Sequence, residues 1–585
     1  MDEALDLATL SLTGQQRKLI VGIDFGSKLG IKSSERSANF RLGTTYSGIA
    51  WSETRRPDQQ TIANMWPSNL ETFEGKTMDK VPTELRYTPE GMEWGFQIPA
   101  IVERHKWFKL GLAGGRPISP GQQNSPQSLT TDYLSALHDH LMYTLEQKLG
   151  ASILRTIPIE YCLTVPAIWS EVAKEKTLET ASRAGLNGVG NMLLVSEPEA
   201  AATYALHGLD PHGLQIGDSF VLCDAGGGTV DLISYTITQL QPKLEIVEAS
   251  PGAGGLCGST FLNRRFAEFL TTKIGQEEGW DAELLAEAME RFDLVIKKQY
   301  SPSTSNRDGY TVLVPGLANN ERLGIRRGRL LITPAEMRGI FEPVVSEVIT
   351  LVQGQIDTSD REIRAVLLVG GFGENSYLKE RLRAALDRSV EVMQPPNAWT
   401  AVVRGAVMMG LGRAQAELAA VGVMSRSARK HYGIELHPEF DPEKHEEIKK
   451  YWWAKYRQFH VPTVSWFIKR GEPVQEGNPK KIDFIQDFPV SEGRPATCNM
   501  DVFCDEVSPT APIHPNNNVR VLVTLEANLQ SMSNEDLAHT KGTRADGLEY
   551  YCMAGYVEAT YRSASTQYVL CLLDKRYDTV AAEYV

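Results

Sequence analysis

The segment Val221-Leu-Cys-Asp224-Ala-Gly226-Gly227-Gly228-Thr229-Val-Asp231 has the residue types of a phosphate-binding turn. An apolar run ends at Asp224, and three glycines then turn the chain with no side chains in the way. Such a turn lets backbone N–H groups approach a phosphate closely, and the Thr229 hydroxyl adds a donor. Asp224 would repel a triphosphate unless a cation lay between them, so the motif implies Mg2+ held through water. A glycine run by itself equally marks an ordinary hairpin turn. Here the pattern recurs. Ile20-Val-Gly-Ile-Asp24-Phe-Gly26 is a second apolar run ending in Asp-x-Gly, and Val366-Leu-Leu-Val-Gly370-Gly371-Phe-Gly373 runs into glycines before a helix near Glu374. The sequence contains no Walker A motif, and no Gly-x-Gly-x-x-Gly opens a strand–helix unit.

These turns need strands to carry them and helices to back them. Short apolar runs at 19–23, 161–165, 220–223 and 365–369 predict buried strands, and helical spacing predicts helices over 171–185, 262–274, 334–355 and 376–385. The alternation argues for α/β layers from residue 19 to 412, preceded by a polar tail, 1–18. An Ala-rich stretch, 413–430, reads as a linker. From 431 to 585, alternating runs such as 464–468, 519–525 and 568–573 predict a smaller β-rich domain. Its charged stretch 441–457 reads as a helix with a solvated face.

Composition narrows the function classes. The 585 residues hold 60 basic against 73 acidic side chains, a net charge of −13, the wrong sign for a dedicated nucleic-acid or membrane-surface binder. No apolar run approaches the ~18 residues a membrane helix needs. Asp2, Glu3 and Asp6 stand where a secretory signal would be basic. The seven cysteines are scattered without a Cys-x-x-Cys pair, against a disulfide framework or zinc site. A cytoplasmic protein, with or without a nuclear pool, is the expectation.

Two strand–Asp–Gly turns followed by a strand–Gly-Gly–helix turn resemble the pattern of the actin, sugar-kinase and heat-shock-protein ATPase superfamily, whose ribonuclease H-like lobes close on ATP. Within it, the sequence is similar to the heat-shock protein 70 family. The resemblance rests on Leu163-Thr-Val-Pro166-Ala, Val195-Ser-Glu197-Pro198-Glu-Ala-Ala-Ala202, Gly254-Gly-Leu-Cys-Gly258 and Arg404-Gly405-Ala406-Val407. Trp94-Gly-Phe96 and Trp107-Phe108-Lys109-Leu110 resemble a divergent, lid-less branch. The likeness spans 19–412 and implies a two-lobed actin-like ATPase domain with ATP, ADP and Mg2+ as ligands.

Carried over residue by residue, the resemblance implies that Asp24 and Asp224 position Mg2+ through water and that Glu197 orients the attacking water. Lys109 meets the γ-phosphate, with Lys106 as a competitor for that role. Thr44, Thr45 and Thr229 donate hydroxyls to phosphates, on a loop with Gly26, Gly43 and Tyr46. Gly226, Gly227 and Gly228 cradle phosphate, Gly370, Gly371 and Gly373 lie against adenosine, and Lys297 and Lys298 line the adenine pocket. Lys109, Glu197, Asp224 and Thr229 form the implied catalytic set.

The sequence departs from that family in three places. Residues 27–42 interrupt the phosphate loop between Ile23-Asp-Phe-Gly26 and Gly43-Thr44-Thr45-Tyr46, and removing 27–43 restores one continuous motif. That restoration favours a retained in-frame intron over a solvent-exposed loop, although loop entropy tolerates the insertion. The linker 419–429 lacks the acidic-apolar character of the family's chaperones, which argues against J-domain stimulation. No helical lid or Glu-Glu-Val-Asp tail is expected after the β-rich region. Three readings stand: a slow ATPase binding unfolded polypeptide or a dedicated partner, a nucleotide-gated scaffold with little turnover, and a small-molecule kinase.

Overall fold

A computed structural model describes residues 17–26, 45–68, 77–99, 102–113, 124–167, 169–188, 192–209, 213–301, 309–577 and 583–584. Most of the expected tail, the insertion at 27–42, and Gly43 and Thr44 lie outside these residues. The chain divides into two compact units, Met1–Gly422 and Val423–Val585.

The first unit is built on two sheets of matching plan. In one, β1 (Leu19–Asp24) pairs antiparallel with β2 (Tyr46–Glu53), which continues to β3 (Arg56–Ile62) and also takes β4 (Val81–Pro82). On its other side β1 runs parallel to β5 (Ile159–Val165), and β5 parallel to β6 (Leu193–Ser196). In the second sheet, β7 (Ser219–Ala225) pairs antiparallel with β8 (Val230–Gln239), followed by β9 (Leu244–Gly255). Its other side runs parallel to β10 (Ile363–Val369), then β11 (Glu391–Met393). Each sheet therefore has a central strand flanked by a hairpin on one side and parallel strands on the other. Asp24 ends one central strand and Asp224 lies near the end of the other. Strands β1, β5 and β10 are nearly continuous apolar runs because helices cover both faces of parallel strands.

The sheets are braced by helices that include α1 (Phe108–Leu112), α2 (Pro126–Leu149), α3 (Glu171–Arg183), α4 (Glu197–Gly208), α5 (Ser259–Ile274), α6 (Pro334–Asp357), α7 (Ser376–Ala385) and α8 (Ala401–Ala414). Helix α4 buries Ala200, Ala201, Ala202 and Ala205 completely and packs on α8, whose Val403, Ala406 and Val407 are equally buried. Small side chains let the two helices approach closely beneath the sheets. Helix α6 starts with a capping box: the Glu336 amide donates to Thr333 Oγ1 and the Thr333 amide to Glu336 Oε2. Its face packs into a core with Val221, Leu232, Val366 and Leu368.

The stretch 413–430 has regular structure. It holds the end of α8, a 3-10 turn at Ala416–Leu418 and a strand, Val421–Ser427. The second unit is β-rich. One sheet orders Thr463–Ile468, His431–Leu436, Thr497–Asp505, Arg520–Asn528 and Glu583–Tyr584; another pairs Lys480–Pro489, Glu549–Tyr561, Thr566–Leu572 and Lys575–Tyr577. Val502, Val523, Met553, Val557 and Leu570 share their common core.

The charged stretch 441–457 is not the helix its composition suggests. It forms turns, a 3-10 turn at Glu447–Lys449 and the first strand of a hairpin, Tyr451–Trp453 with Gln458–His460. Consecutive aromatic residues favour a pleated strand, and Arg457, at φ 54°, reverses the chain. Among the described residues no helix is long and apolar enough to cross a membrane.

Candidate active site

The ends of β1 and β7 face one cleft of about 330 Å3, lined by Asp24, Lys80, Glu197, Asp224, Asp231 and Trp399 among others. Each group arrives there for a local reason. Glu197 is the first residue of α4, directly after β6 ends at Ser196. Asp224 and Asp231 are cross-strand partners in the β7–β8 hairpin, so their side chains leave the same face side by side. Thr229 lies between them in the turn and donates its hydroxyl to Asp231 Oδ2 at 2.8 Å.

Helix α5 fixes the glycine turn. Its first amides, on Gly258, Ser259 and Thr260, donate to the carbonyls of Gly228, Gly226 and Gly227 at 3.2, 3.1 and 2.9 Å. A trans peptide sets each carbonyl opposite the following N–H. With carbonyls 226–228 held by the helix, the amides of 227–229 are aimed away from it, as an anion-binding turn requires.

The third glycine segment closes on the same point. Gly370 sits at φ 84°, and a Cβ there would land on the Ala225 carbonyl and the Asp224 carboxylate. The amides of Phe372 and Gly373 donate to the Ala225 carbonyl at 2.9 and 3.1 Å. Asn375, the N-cap of α7, donates its side-chain amide to the Lys297 carbonyl at 2.6 Å. Trp399 closes this side of the cleft, its amide bonded to Glu374 Oε1 at 2.9 Å. Lys298 Nζ lies 5.2 Å over the Trp399 ring, and Tyr46 meets that ring edge-on at 5.8 Å. An aromatic face with an ammonium above it suits a purine ring.

Electrostatically the cleft is acidic. Burial, with Asp231, Glu197 and Asp24 close by, pushes Asp224 up to about 8 against the pull of Lys80. Burial likewise pushes Glu197 up to about 7, opposed by Lys109 and reinforced by Asp24 and Asp231. Asp231 is also raised by burial, with the Thr229 hydroxyl opposing. Crowded carboxylates with raised proton affinity are sites where a cation would replace protons. Among the described residues no three His, Cys, Asp or Glu side chains converge closely enough to ligate a metal directly. Hard oxygen donors of this kind would suit Mg2+ held through water, with Asp224 and Asp231 as the residues that would hold those waters.

The residues expected from sequence divide into three groups. Asp24, Gly26, Thr45, Tyr46, Glu197, Asp224, Gly226, Gly227, Thr229, Lys297, Lys298, Gly370 and Gly371 all line the cleft. Gly228 and Gly373 support the turns from behind, through the contacts just described. Lys109 lies beneath the cleft: only 1% exposed, it donates to the Phe25 carbonyl and to Glu197 Oε1 at 3.2 Å, with the rings of Phe25 and Trp169 beside it. Its competitor Lys106 is ion-paired with Glu84 at 3.3 Å. Lys297 is tied to Asp293 and Asn263.

Lys80, Asp231, Asp293 and Trp399 are cleft residues that sequence reasoning did not single out. Asp231 carried a signal, since it stands two positions after Thr229 on the same strand. Lys80 carried none: its Nζ reaches Asp24 Oδ2 at 2.6 Å across 56 residues of chain.

A family model described as Hsp70 protein matches residues 116–421. The chain is 24% identical over 506 residues to heat shock 70 kDa protein 12B of Homo sapiens, covering 69% of this chain and 71% of that protein. To heat shock 70 kDa protein 12A of Homo sapiens it is 24% identical over 468 residues, 63% of this chain and 68% of that protein.

Proposed function

The chain belongs to the heat-shock protein 70 family, and we propose that it binds Mg-ATP in the cleft between its two matched sheets and hydrolyses it slowly. The observation that carries this reading is the convergence of Asp24 and Asp224, from equivalent central strands, on the turns at 226–228 and 370–371. Phosphoryl transfer to water needs positioning and charge neutralisation more than covalent help from the protein. Mg2+, when bound, would neutralise the phosphate oxygens, with Asp224 and Asp231 holding its waters. The amides of 227–229 and the Thr229 hydroxyl receive the phosphate oxygens.

Glu197 orients the attacking water and accepts its proton, a role suited by a carboxylate raised to about 7. Lys109 holds the Glu197 carboxylate from beneath, so in this reading it positions the base instead of reaching the γ-phosphate. Trp399 and Lys298 receive the base of the nucleotide.

The β-rich unit binds polypeptide or a dedicated protein partner. Trp452, 55% exposed, meets the half-exposed Phe459 at 5.1 Å on the 451–460 hairpin, and Ile448 just before it is 89% exposed; these apolar side chains support this reading. Single-turnover hydrolysis of Mg-ATP by the full chain, beside Glu197→Gln, tests the enzymatic part. Hydrolysis that falls ~100-fold in the variant, with nucleotide still bound, is the expected result. Tight binding without turnover in the wild-type chain would replace the ATPase reading with the nucleotide-gated scaffold.

A further inference from the structure

The cleft's lining is acidic, with Asp24, Glu197, Asp224, Asp231, Asp293 and Glu374 against Lys80, Lys297 and Lys298. Two of these lysines have other engagements, Lys297 with Asp293 and Lys298 over Trp399. Lys80 stands at the phosphate end. Its Nζ donates to Asp24 Oδ2 at 2.6 Å, while Thr164 Oγ1 donates to Asp24 Oδ1 at 3.1 Å. Both oxygens of Asp24 are therefore satisfied by the protein itself. Lys80 is 7% exposed and still lines the cleft, so its ammonium is desolvated by protein yet open to a bound anion.

The fold provides a path for this side chain. Lys80 directly precedes β4, whose Val81 is the cross-strand partner of Ser47 on β2. The next residue on β2, Gly48, is the partner of Asp24 on β1. A Cβ at Gly48 would meet Lys80 Cγ at 3.2 Å and Cε at 3.5 Å. The missing side chain at 48 thus leaves a groove in which the lysine stem crosses the strand to reach Asp24. An ammonium carries its charge wherever the stem can swing, and within ~4 Å of both Asp24 and a phosphate it would attract each.

We propose that Lys80 is a built-in cation of the nucleotide site, which neutralises Asp24 and contacts the phosphate end of an adenosine di- or triphosphate, so that nucleotide binds appreciably without a divalent ion. This rests on the ATP-binding reading given above. In that arrangement Asp24 needs no metal of its own, and the divalent ion's share falls to Asp224 and Asp231. The lysine is a binding residue that takes over part of the charge neutralisation.

Equilibrium titration of the full chain with a fluorescent ADP, in Mg2+ and again in excess EDTA, tests this. The quantity read is the ratio of Kd in EDTA to Kd in Mg2+ for wild type, Lys80→Met and Lys80→Arg. We expect the ratio to stay within ~10-fold in wild type, to rise by at least a further ~10-fold in Lys80→Met, and to return towards wild type in Lys80→Arg. Equal ratios in wild type and Lys80→Met would overturn the proposal while leaving nucleotide binding intact. Failure of the wild-type chain to bind even in Mg2+ would instead overturn the ATP reading beneath it. Should Lys80→Met lose its cooperative thermal transition, Lys80→Gln, which can still donate to Asp24 but is uncharged, is read against the same criterion.

Discussion

Removing the charge on Glu197 probes the mechanism and the packing beneath the cleft together. Lys109 is almost wholly buried, and Glu197, 3.2 Å away, is its one carboxylate partner among the described residues. At an effective dielectric of about 20, opposite charges at that distance attract by roughly 5 kcal/mol before desolvation is counted. Glu197→Gln keeps an oxygen for Lys109 but leaves an uncompensated buried ammonium, held by the Phe25 carbonyl and two aromatic faces. We expect a loss of about 2–3 kcal/mol at pH near 8, where Glu197, with its value about 7, is mostly ionised. Lys109→Met should cost less, since the carboxyl can then take up a proton, and the double variant should show a coupling of about 2 kcal/mol. The assay is urea unfolding of the nucleotide-free chain, read on the transition that added nucleotide shifts, which identifies the unit concerned. A coupling below about 0.5 kcal/mol would refute the view that Lys109 acts by holding Glu197.

Two further outcomes follow from the same geometry. Gly370→Ala forces a left-handed backbone on a residue with a Cβ and drives that Cβ into the Ala225 carbonyl and the Asp224 carboxylate; a cost of about 1–3 kcal/mol in thermal unfolding and a loss of ATP affinity above ~10-fold are expected, and an unchanged affinity by titration would contradict it. Asp224 holds its proton up to about 8 in the folded nucleotide-free chain against 3.8 when unfolded, and Glu197 up to about 7 against 4.5, so the native state binds protons the unfolded state has lost. The stability these two groups contribute should therefore decline as pH rises between those limits, so in EDTA the melting temperature of wild type relative to Asp224→Asn should fall over that range; a difference that stays constant or rises with pH would contradict the assignment.

What the sequence made legible follows from how local each feature is. Strands such as Leu19–Asp24 and Ile363–Val369 are apolar enough to be read directly, and the helices ending near Ile274 and Ala385 follow their 3.6-residue period. The turns after Asp24, Asp224 and Val369 were visible because glycine at a strand end has a local steric meaning. Lys80 was not, because its role depends on the register of β4 on β2 and on an empty position at Gly48. Trp399 was hidden for a similar reason: its place over Lys298 comes from tertiary packing. The burial of Lys109 against Glu197 was not legible either, because it depends on how its helix packs under the cleft. At 441–457, aromatic pairing in a hairpin overrode the helical reading of alternating charges.

That the cleft is a nucleotide site is tested most directly by calorimetric titration of the nucleotide-free full chain with Mg-ATP. Saturable one-to-one binding is expected, and Gly226→Val, which puts a branched side chain into the phosphate turn, should abolish it without unfolding the chain. Absence of binding by the wild-type chain at millimolar Mg-ATP, or undiminished binding by Gly226→Val, would contradict it.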